Sequence, residues 1–208
     1  MVNFKIHQIF LTDEEIRDRI RIYSQGYSHN RLNGNYKPAS VLLLLIQVEG
    51  RTHLLYTRRT QNVVDHKGQV AFPGGSKERI DADDIETALR ETREEIGIDP
   101  REVNLLGQLP KLTTITHYLV TPVVAWIRWP LDIQLNPTEV ERVFLVPLDW
   151  LLNPMNSTNK RLLIRDGVID RVLLFKPFEG EVIWGITARI TCSLIKAIGL
   201  MNNNTPVK

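Results

Sequence analysis

Three glutamates lie close together near the middle of the chain, at Glu91, Glu94 and Glu95. Their segment predicts a helix, because Asp83 can cap its first turn and Gly97 can end it in a left-handed conformation. At about 100° per residue, the three carboxylates fall on one side of that helix. Like charges four residues apart repel each other, and a divalent cation would offset the repulsion. Hard oxygen ligands on a rigid helix suit Mg²⁺ or Mn²⁺, which also bind substrate phosphates.

The same helix has a predicted packing face, and its charges also have an interpretation without metal binding or catalysis. Apolar or small side chains recur at the spacing of one helical stripe, at Ile85, Ala88, Leu89, Thr92 and Ile96. The alternative is a solvated helix face, on which Arg90 forms ordinary ion pairs with Glu86 and Glu94 four residues away. The charge pattern of the helix alone leaves both interpretations open.

A glycine turn precedes the acidic helix by a short loop. Its sequence, Ala71-Phe72-Pro73-Gly74-Gly75, lets the backbone turn tightly and bring a carbonyl or amide group close to a ligand. A plain tight turn without a ligand is the alternative. The sequence contains no G-x-x-x-x-G-K-[ST] string and no H-E-x-x-H string, which excludes a Walker loop and that zinc motif.

The rest of the sequence predicts the elements that position these residues. A capping-box pattern at Thr12 predicts an N-terminal amphipathic helix that ends near Gly26. Apolar residues at helical spacing predict a C-terminal helix that begins after Ile183 and stops around Gly199. A short helical turn is expected at 147–152. Runs rich in β-formers predict strands at residues 41–48, 53–57, 105–109, 119–127, 143–146, 161–165 and 168–175.

Turn signals and one proline refine the strand assignment. The first two runs flank residues 49–52 and predict a hairpin. Pro122 predicts an edge position or a bulge for the strand that contains it. Asp166-Gly167 is a strong signal for a two-residue turn between the last two runs. Strands, one central helix and two flanking helices together predict a mixed α/β sandwich.

Length and composition define the class of protein that these elements build. At 208 residues, with 43% hydrophobic and 24% charged residues, the chain has the size and composition of one globular domain. Its longest aliphatic run, residues 41–46, is far below the roughly 20 residues that span a bilayer. The net charge of +2 provides no field that would favour nucleic acid or a membrane. A lone cysteine, Cys192, and an N-terminus without an apolar signal core predict a cytoplasmic protein.

The residues from Gly75 to Ile98 resemble the signature of the Nudix hydrolase family. That signature is a glycine, an acid-containing loop and then R-E-U-x-E-E-x-G-U, where U is apolar. The loop here is one residue longer than the general pattern, which leaves Asp81 near the place of the first glutamate, and Thr92 is less apolar than the pattern expects. The last part of the signature reads Arg90-Glu91-Thr92-Arg93-Glu94-Glu95-Ile96-Gly97-Ile98.

The preceding segment, residues 55–75, is similar to the extra motif of the coenzyme A pyrophosphatase branch of that family. The motif is L-L-T-x-R-[SA]-x3-R-x3-G-x3-F-P-G-G, and its spacing is matched throughout, with Arg59 at the first arginine. Val64 stands where the second arginine is expected, and Tyr56 and Thr60 also depart from the pattern. Because of the departure at Val64, the resemblance to this branch leaves substrates other than coenzyme A as alternatives.

The resemblance implies a Nudix-type α/β/α sandwich with a mixed β-sheet, formed as a single domain over residues 1–208 with an N-terminal and a C-terminal helix beside the core. It also implies an enzyme that uses Mg²⁺ or Mn²⁺ to hydrolyse the diphosphate of coenzyme A or its derivatives into 3′,5′-ADP and 4′-phosphopantetheine. The alternatives are another nucleoside diphosphate derivative such as ADP-ribose, or a catalytically silent nucleotide-binding module. The expected partner is therefore a small molecule, not nucleic acid or a membrane, and the frequent dimers of the family allow a homodimer.

The resemblance further implies roles for individual residues. Arg58 and Arg59 alternate in direction on a strand, so we expect one of them to face the site, and Arg59 is the motif match. Either Glu91 or Glu139 would take the proton from water, and a turn or surface charge is the alternative role of Glu139. Metal ligands are expected at Glu91, Glu94, Glu95 and Gly75. Catalytic groups are expected at Glu91, Glu94, Arg90 and Glu139. Substrate contacts are expected at Arg59, Arg58, Lys67 and Gly74.

Overall fold

Runs of consecutive strands separate the helices in the computed structural model, which describes residues 11–27, 34–61, 67–163 and 169–200. The helices within these ranges are α1 Asp13–Gln25, α2 Asp84–Ile96, α3 Leu148–Leu152 and α4 Gly185–Ala197. The strands are β1 Lys37–Val48, β2 Arg51–Arg59, β3 Val70–Ala71, β4 Gly74–Ser76, β5 Asn104–Gln108, β6 Leu112–Thr113, β7 Tyr118–Ile127, β8 Val140–Pro147, β9 Ser157–Leu163 and β10 Ile169–Phe175. The helices predicted at both ends, in the middle and at 147–152 are confirmed.

The main sheet is mixed, as predicted. It has eight strands in the order β3-β2-β1-β7-β5, with β4 also paired to β1, β6 to β7 and β8 to β2. The parallel pair in its centre is β1 with β7, which stay in register from Lys37↔Tyr118 to Ile46↔Ile127. All other pairs in this sheet are antiparallel among the described strands.

The central strand β1 is covered on both faces. Leu42 and Leu44 pack with Ala88 of α2 on one face of the sheet. Leu43 and Leu45 pack on the other face, in a cluster that also contains buried residues of α1 and α4. A strand that is buried on both faces has a continuous apolar sequence, which explains the aliphatic run of β1. Helices on both faces make the fold the predicted α/β/α sandwich.

The hairpin between β1 and β2 is tighter than predicted. The two strands pair as far as Val48↔Arg51, so the loop is Glu49-Gly50 and not residues 49–52. Both loop residues have positive φ, 49° for Glu49 and 74° for Gly50. Positive φ at both positions is typical of the two-residue turn whose twist matches that of the flanking strands.

Pro122 lies in the interior of the sheet, so the predicted edge position is wrong. The alternative, a bulge, is found in the pairing of the same strand with β5, whose register shifts between Leu105 and Gly107. The strand β7 that contains it lies between β1 and the two short strands β5 and β6, and its register with β1 passes Pro122 without a shift. Pro122 faces the gap between the end of β5 at Gln108 and the start of β6 at Leu112. Its carbonyl accepts the amide of Leu109 at 2.9 Å there. Proline has no backbone N–H to donate, and this is tolerated at Pro122 because no strand carbonyl in the gap has to be paired with it.

The strands β9 and β10 form a separate antiparallel pair, from Ser157↔Phe175 to Leu163↔Ile169. Their pairing confirms the predicted hairpin, while the turn at Asp166-Gly167 lies outside the described residues. No helix in the described part of the chain is long and apolar enough to cross a bilayer.

Candidate active site

The helix α2 begins and ends at the residues that predicted it. The Asp83 carboxylate accepts the amide of Glu86 at 2.8 Å, and Gly97 closes the helix with a φ of 77°. The Glu86 carboxylate accepts the amide of Ala82 at 2.6 Å, not that of Asp83, so the capping box is displaced by one residue. This bond takes the place of the predicted ion pair between Glu86 and Arg90, and that prediction is wrong.

Arg90 joins the loop before α2 to the carboxylates on the helix. Its Nε and Nη2 donate to the two carboxylate oxygens of Asp81 at 2.8 and 3.0 Å, and Nη2 also donates to the Ser76 carbonyl at 3.1 Å. Nη2 lies 3.0 Å from Glu91 Oε1, and Nη1 donates to Glu94 Oε2 at 3.0 Å. The predicted pair of Arg90 with Glu94 is formed, and Arg90 holds two of the three helical glutamates.

Asp81 is the buried acidic partner of Arg90. The sequence places it only near the first glutamate of the family signature. Besides the two bonds from Arg90, it accepts the amide of Glu78 at 2.8 Å and the hydroxyl of Thr87 at 3.0 Å. The Arg90 guanidinium holds the pKa of the Asp81 carboxyl well below its usual range, against the effect of burial. The sequence signal for Asp81 was its alignment with the first glutamate of the signature. Its pairing with Arg90 was not predicted.

Glu95 lies inside the protein, with only 2% of its side chain exposed. Arg59 Nη1 donates to its Oε1 at 3.2 Å, and the amide of Gly74 donates to its Oε2 at 3.2 Å. Burial raises the pKa of Glu95 to about 8, although Arg59 and the Gly74 amide oppose this rise. The acidic face of α2 therefore extends from solvent into the protein interior.

Glu91 and Glu139 bring two further carboxylates to the same region. Burial raises the pKa of Glu91, partly offset by Arg90, and the negative charge of Glu139 raises the pKa of both Glu91 and Glu95. The Asn136 side-chain amide donates to Glu139 Oε1 at 3.2 Å, and the Asn136 backbone amide donates to the Glu95 carbonyl at 2.9 Å. Asn136 therefore fixes the loop of Glu139 against the end of α2, a role that sequence reasoning missed.

An irregularity in strand pairing places Arg59 and Glu139 beside each other. The register of β2 with β8 shifts next to Arg59, so that Glu141 is skipped. The Thr60 amide then donates to the Glu139 carbonyl at 2.9 Å. A bulge of this kind bends a strand and changes the direction of a side chain, and bulges are frequent beside active sites.

The other two side chains predicted to contact the substrate are Arg58 and Lys67, and neither contacts the carboxylates of α2. Arg58 Nη1 donates to Glu181 Oε2 at 2.5 Å, and its Nε lies 3.8 Å from Glu141, so Arg58 and Arg59 contact different acids. Lys67 is exposed at the start of a described range. Val64, the departure from the branch motif, lies outside the described residues.

The predicted glycine turn is in part the strand β4, which pairs with β1. Gly74 has a φ of 149°, and a Cβ added to it would lie 2.2 Å from the Ser40 carbonyl oxygen. A Cβ on Gly75 would lie 2.5 Å from the carboxyl carbon of Glu91. A side chain at Gly74 would collide with the backbone of β1, and a side chain at Gly75 would displace the Glu91 carboxylate from its position in the site.

The predicted metal ligands come from one region but do not form a ready-made ion site. Among the residues that the structure describes, no three His, Cys, Asp or Glu side chains are arranged to hold a metal ion. Glu94 is 54% exposed and ion-paired with Arg90, and Glu91 shares Arg90 with it. The chemistry of the donors still fits a hard divalent cation, because Glu91 and Glu95 are desolvated carboxylates and the charge of Glu91 raises the pKa of Glu95.

Comparison with known proteins gives matches that span this site. The NUDIX domain matches residues 36–166. "Uncharacterized Nudix hydrolase NudL" of Photorhabdus laumondii is 39% identical over 168 residues, which cover 81% of this chain and 88% of that protein. "Peroxisomal coenzyme A diphosphatase NUDT7" of Mus musculus is 35% identical over 149 residues, which cover 72% of this chain and 62% of that protein. Among solved structures, a C. elegans Ap4A hydrolase binary complex has a TM-score of 0.47 at 20% identity, covering 53% of this chain and 80% of that chain.

Proposed function

This chain belongs to the Nudix hydrolase family, and we propose that it hydrolyses the diphosphate bond of coenzyme A or its derivatives with a divalent metal ion. The family resemblance predicted from the acidic helix is confirmed by the match over residues 36–166. The products of the proposed reaction are 3′,5′-ADP and 4′-phosphopantetheine.

The observation that carries the metal-dependent part of the proposal is the burial of Glu95 among other carboxylates. Removing an ionised carboxylate from water costs free energy unless cations or hydrogen bonds compensate. Two contacts of 3.2 Å, from Arg59 and Gly74, leave the pKa of Glu95 near 8. A second cation beside Glu95 and Glu91 would compensate for this burial, and Mg²⁺ and Mn²⁺ are the ions that prefer such oxygen ligands.

The residues of the chain then divide the work of hydrolysis. A bound divalent ion supplies charge neutralisation at the phosphates and a lowered pKa for coordinated water. Arg90 orients Glu91 and Glu94 through its contacts of 3.0 Å. Glu139, held by the Asn136 amide, or Glu91 accepts the proton of the attacking water. The residues that would hold the ion are Glu91, Glu94, Glu95 and the Gly75 carbonyl.

Two features support coenzyme A as the substrate. Residues 55–75 match the spacing of the coenzyme A branch motif, and Arg59 occupies its first arginine beside the site. The planar guanidinium of arginine suits bidentate contact with a phosphate. The second feature is a mouse relative, 35% identical, that is named a coenzyme A diphosphatase.

One departure from the branch motif supports a second candidate substrate. Val64 stands in place of the second motif arginine, which favours another nucleoside diphosphate derivative such as ADP-ribose.

Product analysis on a substrate panel tests this proposal. The purified protein is incubated with coenzyme A, acetyl-coenzyme A, ADP-ribose and a dinucleoside polyphosphate, each with Mg²⁺, with Mn²⁺ or with EDTA. We expect metal-dependent formation of 3′,5′-ADP from the first two compounds. Preferred release of AMP from ADP-ribose would support the second candidate. Binding of these compounds without turnover would support the silent binding module.

A further inference from the structure

Arg59 is paired with the buried carboxylate of Glu95 by an incomplete contact. Only its Nη1 donates to Glu95, at 3.2 Å. Its Nε is buried and has no hydrogen-bond partner within the part of the chain that the structure describes. A guanidinium carries several N–H donors in a rigid fork, and buried donors are normally satisfied. Arg59 therefore retains donor capacity beside the site.

The acceptor in this pair, the Glu95 carboxylate, receives only long hydrogen bonds. Charge-assisted hydrogen bonds to carboxylates are usually about 2.7–2.9 Å long, whereas both contacts of Glu95 measure 3.2 Å. Glu95 also lies within the electrostatic influence of Glu91 and Glu139. The pair thus leaves unused acceptor capacity at Glu95 and an unused donor at Arg59.

The two partners come from different elements of the fold, and among the described residues this contact is not part of a wider ion-pair network. Arg59 follows the register shift at the end of β2, and Glu95 lies in the last turn of α2, 36 residues later. Arg59 also makes no second ion pair with another described residue, unlike Arg90, which pairs with several acids. Breaking the contact between Arg59 and Glu95 therefore disrupts no wider ion-pair network.

We propose that Arg59 is an exchangeable counter-ion, which neutralises Glu95 while no metal is bound and moves to the diphosphate of the substrate once a metal ion takes its place. The inference rests on the proposed function, since it requires a metal at Glu95 and a diphosphate beside it. A metal ion at Glu95 releases Arg59 for the diphosphate, and a diphosphate that binds Arg59 releases Glu95 for the metal ion. Metal binding and diphosphate binding are consequently coupled with positive sign.

The counter-ion role is tested first in metal-free protein. In EDTA at about pH 8, Arg59→Met lowers the melting temperature of the wild type, because Glu95 loses its cation. In a Glu95→Gln background the same substitution has a much smaller effect, since a neutral side chain needs no counter-ion. An equal loss in both backgrounds would show that Arg59 stabilises the fold independently of Glu95 and would overturn the proposal.

Metal competition is tested by calorimetric titration of Mn²⁺ without substrate. Arg59→Met is expected to bind Mn²⁺ about tenfold more tightly than the wild type, within the usual range of coupling between two sites. Arg59→Lys keeps the charge and should fall between them, and it replaces Arg59→Met as the test if that variant does not fold. Arg51→Met is the matched control, because Arg51 lies at the opposite end of β2 in an ion pair with Asp149. An unchanged or weaker Mn²⁺ affinity in Arg59→Met would overturn the exchange.

Steady-state kinetics test the second half of the proposal. With saturating Mn²⁺, Arg59→Met should raise KM for the preferred substrate about tenfold or more while kcat changes much less. An unchanged KM would mean that Arg59 does not move to the diphosphate. Failure of the proposed function looks different, because the wild type itself would then bind no Mn²⁺ or hydrolyse no compound of the panel.

Discussion

Two arginine–carboxylate pairs beside α2 are both buried on the acid side, yet they differ in geometry and in charge. Asp81 has 1% of its side chain exposed and accepts two bonds from Arg90, at 2.8 and 3.0 Å. Glu95 has 2% exposed and accepts one bond from Arg59, at 3.2 Å. The pKa of Asp81 is lowered by Arg90, whereas burial raises that of Glu95 to about 8.

The difference shows that burial alone does not determine the charge of a carboxylate. Asp81 has further donors in the Glu78 amide and the Thr87 hydroxyl, so its negative charge is fully compensated. Glu95 has only the Gly74 amide in addition to Arg59 among the bonds that the structure gives it. The first pair therefore maintains the shape of the loop before α2, and the second pair is suited to exchanging its partner for a ligand.

The largest effect is expected from breaking the fully compensated pair. Asp81→Asn should lower the free energy of unfolding by about 4 kcal/mol, because it leaves the Arg90 guanidinium without its buried counter-ion. Urea denaturation measures this loss. Asp18→Asn is the control, since Asp18 forms an exposed ion pair with Arg21 that contributes about 0.5 kcal/mol. Equal losses in the two variants would contradict a structural role for the Asp81 pair.

Breaking the exchangeable pair from its acid side should affect turnover and not the fold. Glu95→Gln is expected to raise the barrier by about 3 kcal/mol, roughly a hundredfold in kcat, because it removes a proposed metal ligand. Its stability in EDTA should be retained, since the amide needs no counter-ion. Glu102→Gln, at an exposed position after α2, is the matched control. Unchanged turnover in Glu95→Gln would remove Glu95 from the metal site.

The pH dependence of stability in metal-free protein should distinguish the two acids by sign. The lowered pKa of Asp81 adds stability that is complete above its ordinary value of 3.8 and is lost as the pH falls below it. The raised pKa of Glu95 means that the folded protein binds more protons than the unfolded chain between 4.5 and about 8, so stability falls as the pH rises through this window.

Urea denaturation in EDTA from about pH 3 to about pH 9 measures both limbs. Asp81→Asn should flatten the acidic limb, and Glu95→Gln should flatten the limb between pH 4.5 and about 8. A Glu95→Gln curve that runs parallel to that of the wild type in this window would contradict the raised pKa.

The smallest effect is expected at the exposed contact of Arg90. Glu94 has 54% of its side chain exposed, so Glu94→Gln should change the free energy of unfolding by only about 0.5 kcal/mol. A loss of kcat in a variant of unchanged stability would support the proposed metal role of Glu94. If both kcat and stability stay at the level of Glu102→Gln, Glu94 is a surface charge and nothing more.

The sequence by itself determined the features whose causes are local. The ends of α2 follow from Asp83 and Gly97, because a cap needs only residues within one helical turn. The helical stripe likewise predicted the packing face of α2, on which Ala88 and Ile96 are buried. The family could be recognised for the same reason, since its signature is one continuous string.

The local pair of Arg90 with Glu94 was predicted from spacing, but tertiary structure alone decided the other partners of the charges at the site and how much water reaches them. The sequence predicted Glu86 as a partner of Arg90, whereas the fold brings Asp81 to it and leaves Glu86 with a backbone amide. It placed Glu95 in a carboxylate patch, whereas packing buries Glu95 beside Arg59. Pairing energies depend on solvent exclusion and on distances between segments far apart in sequence, and neither quantity is encoded in local spacing.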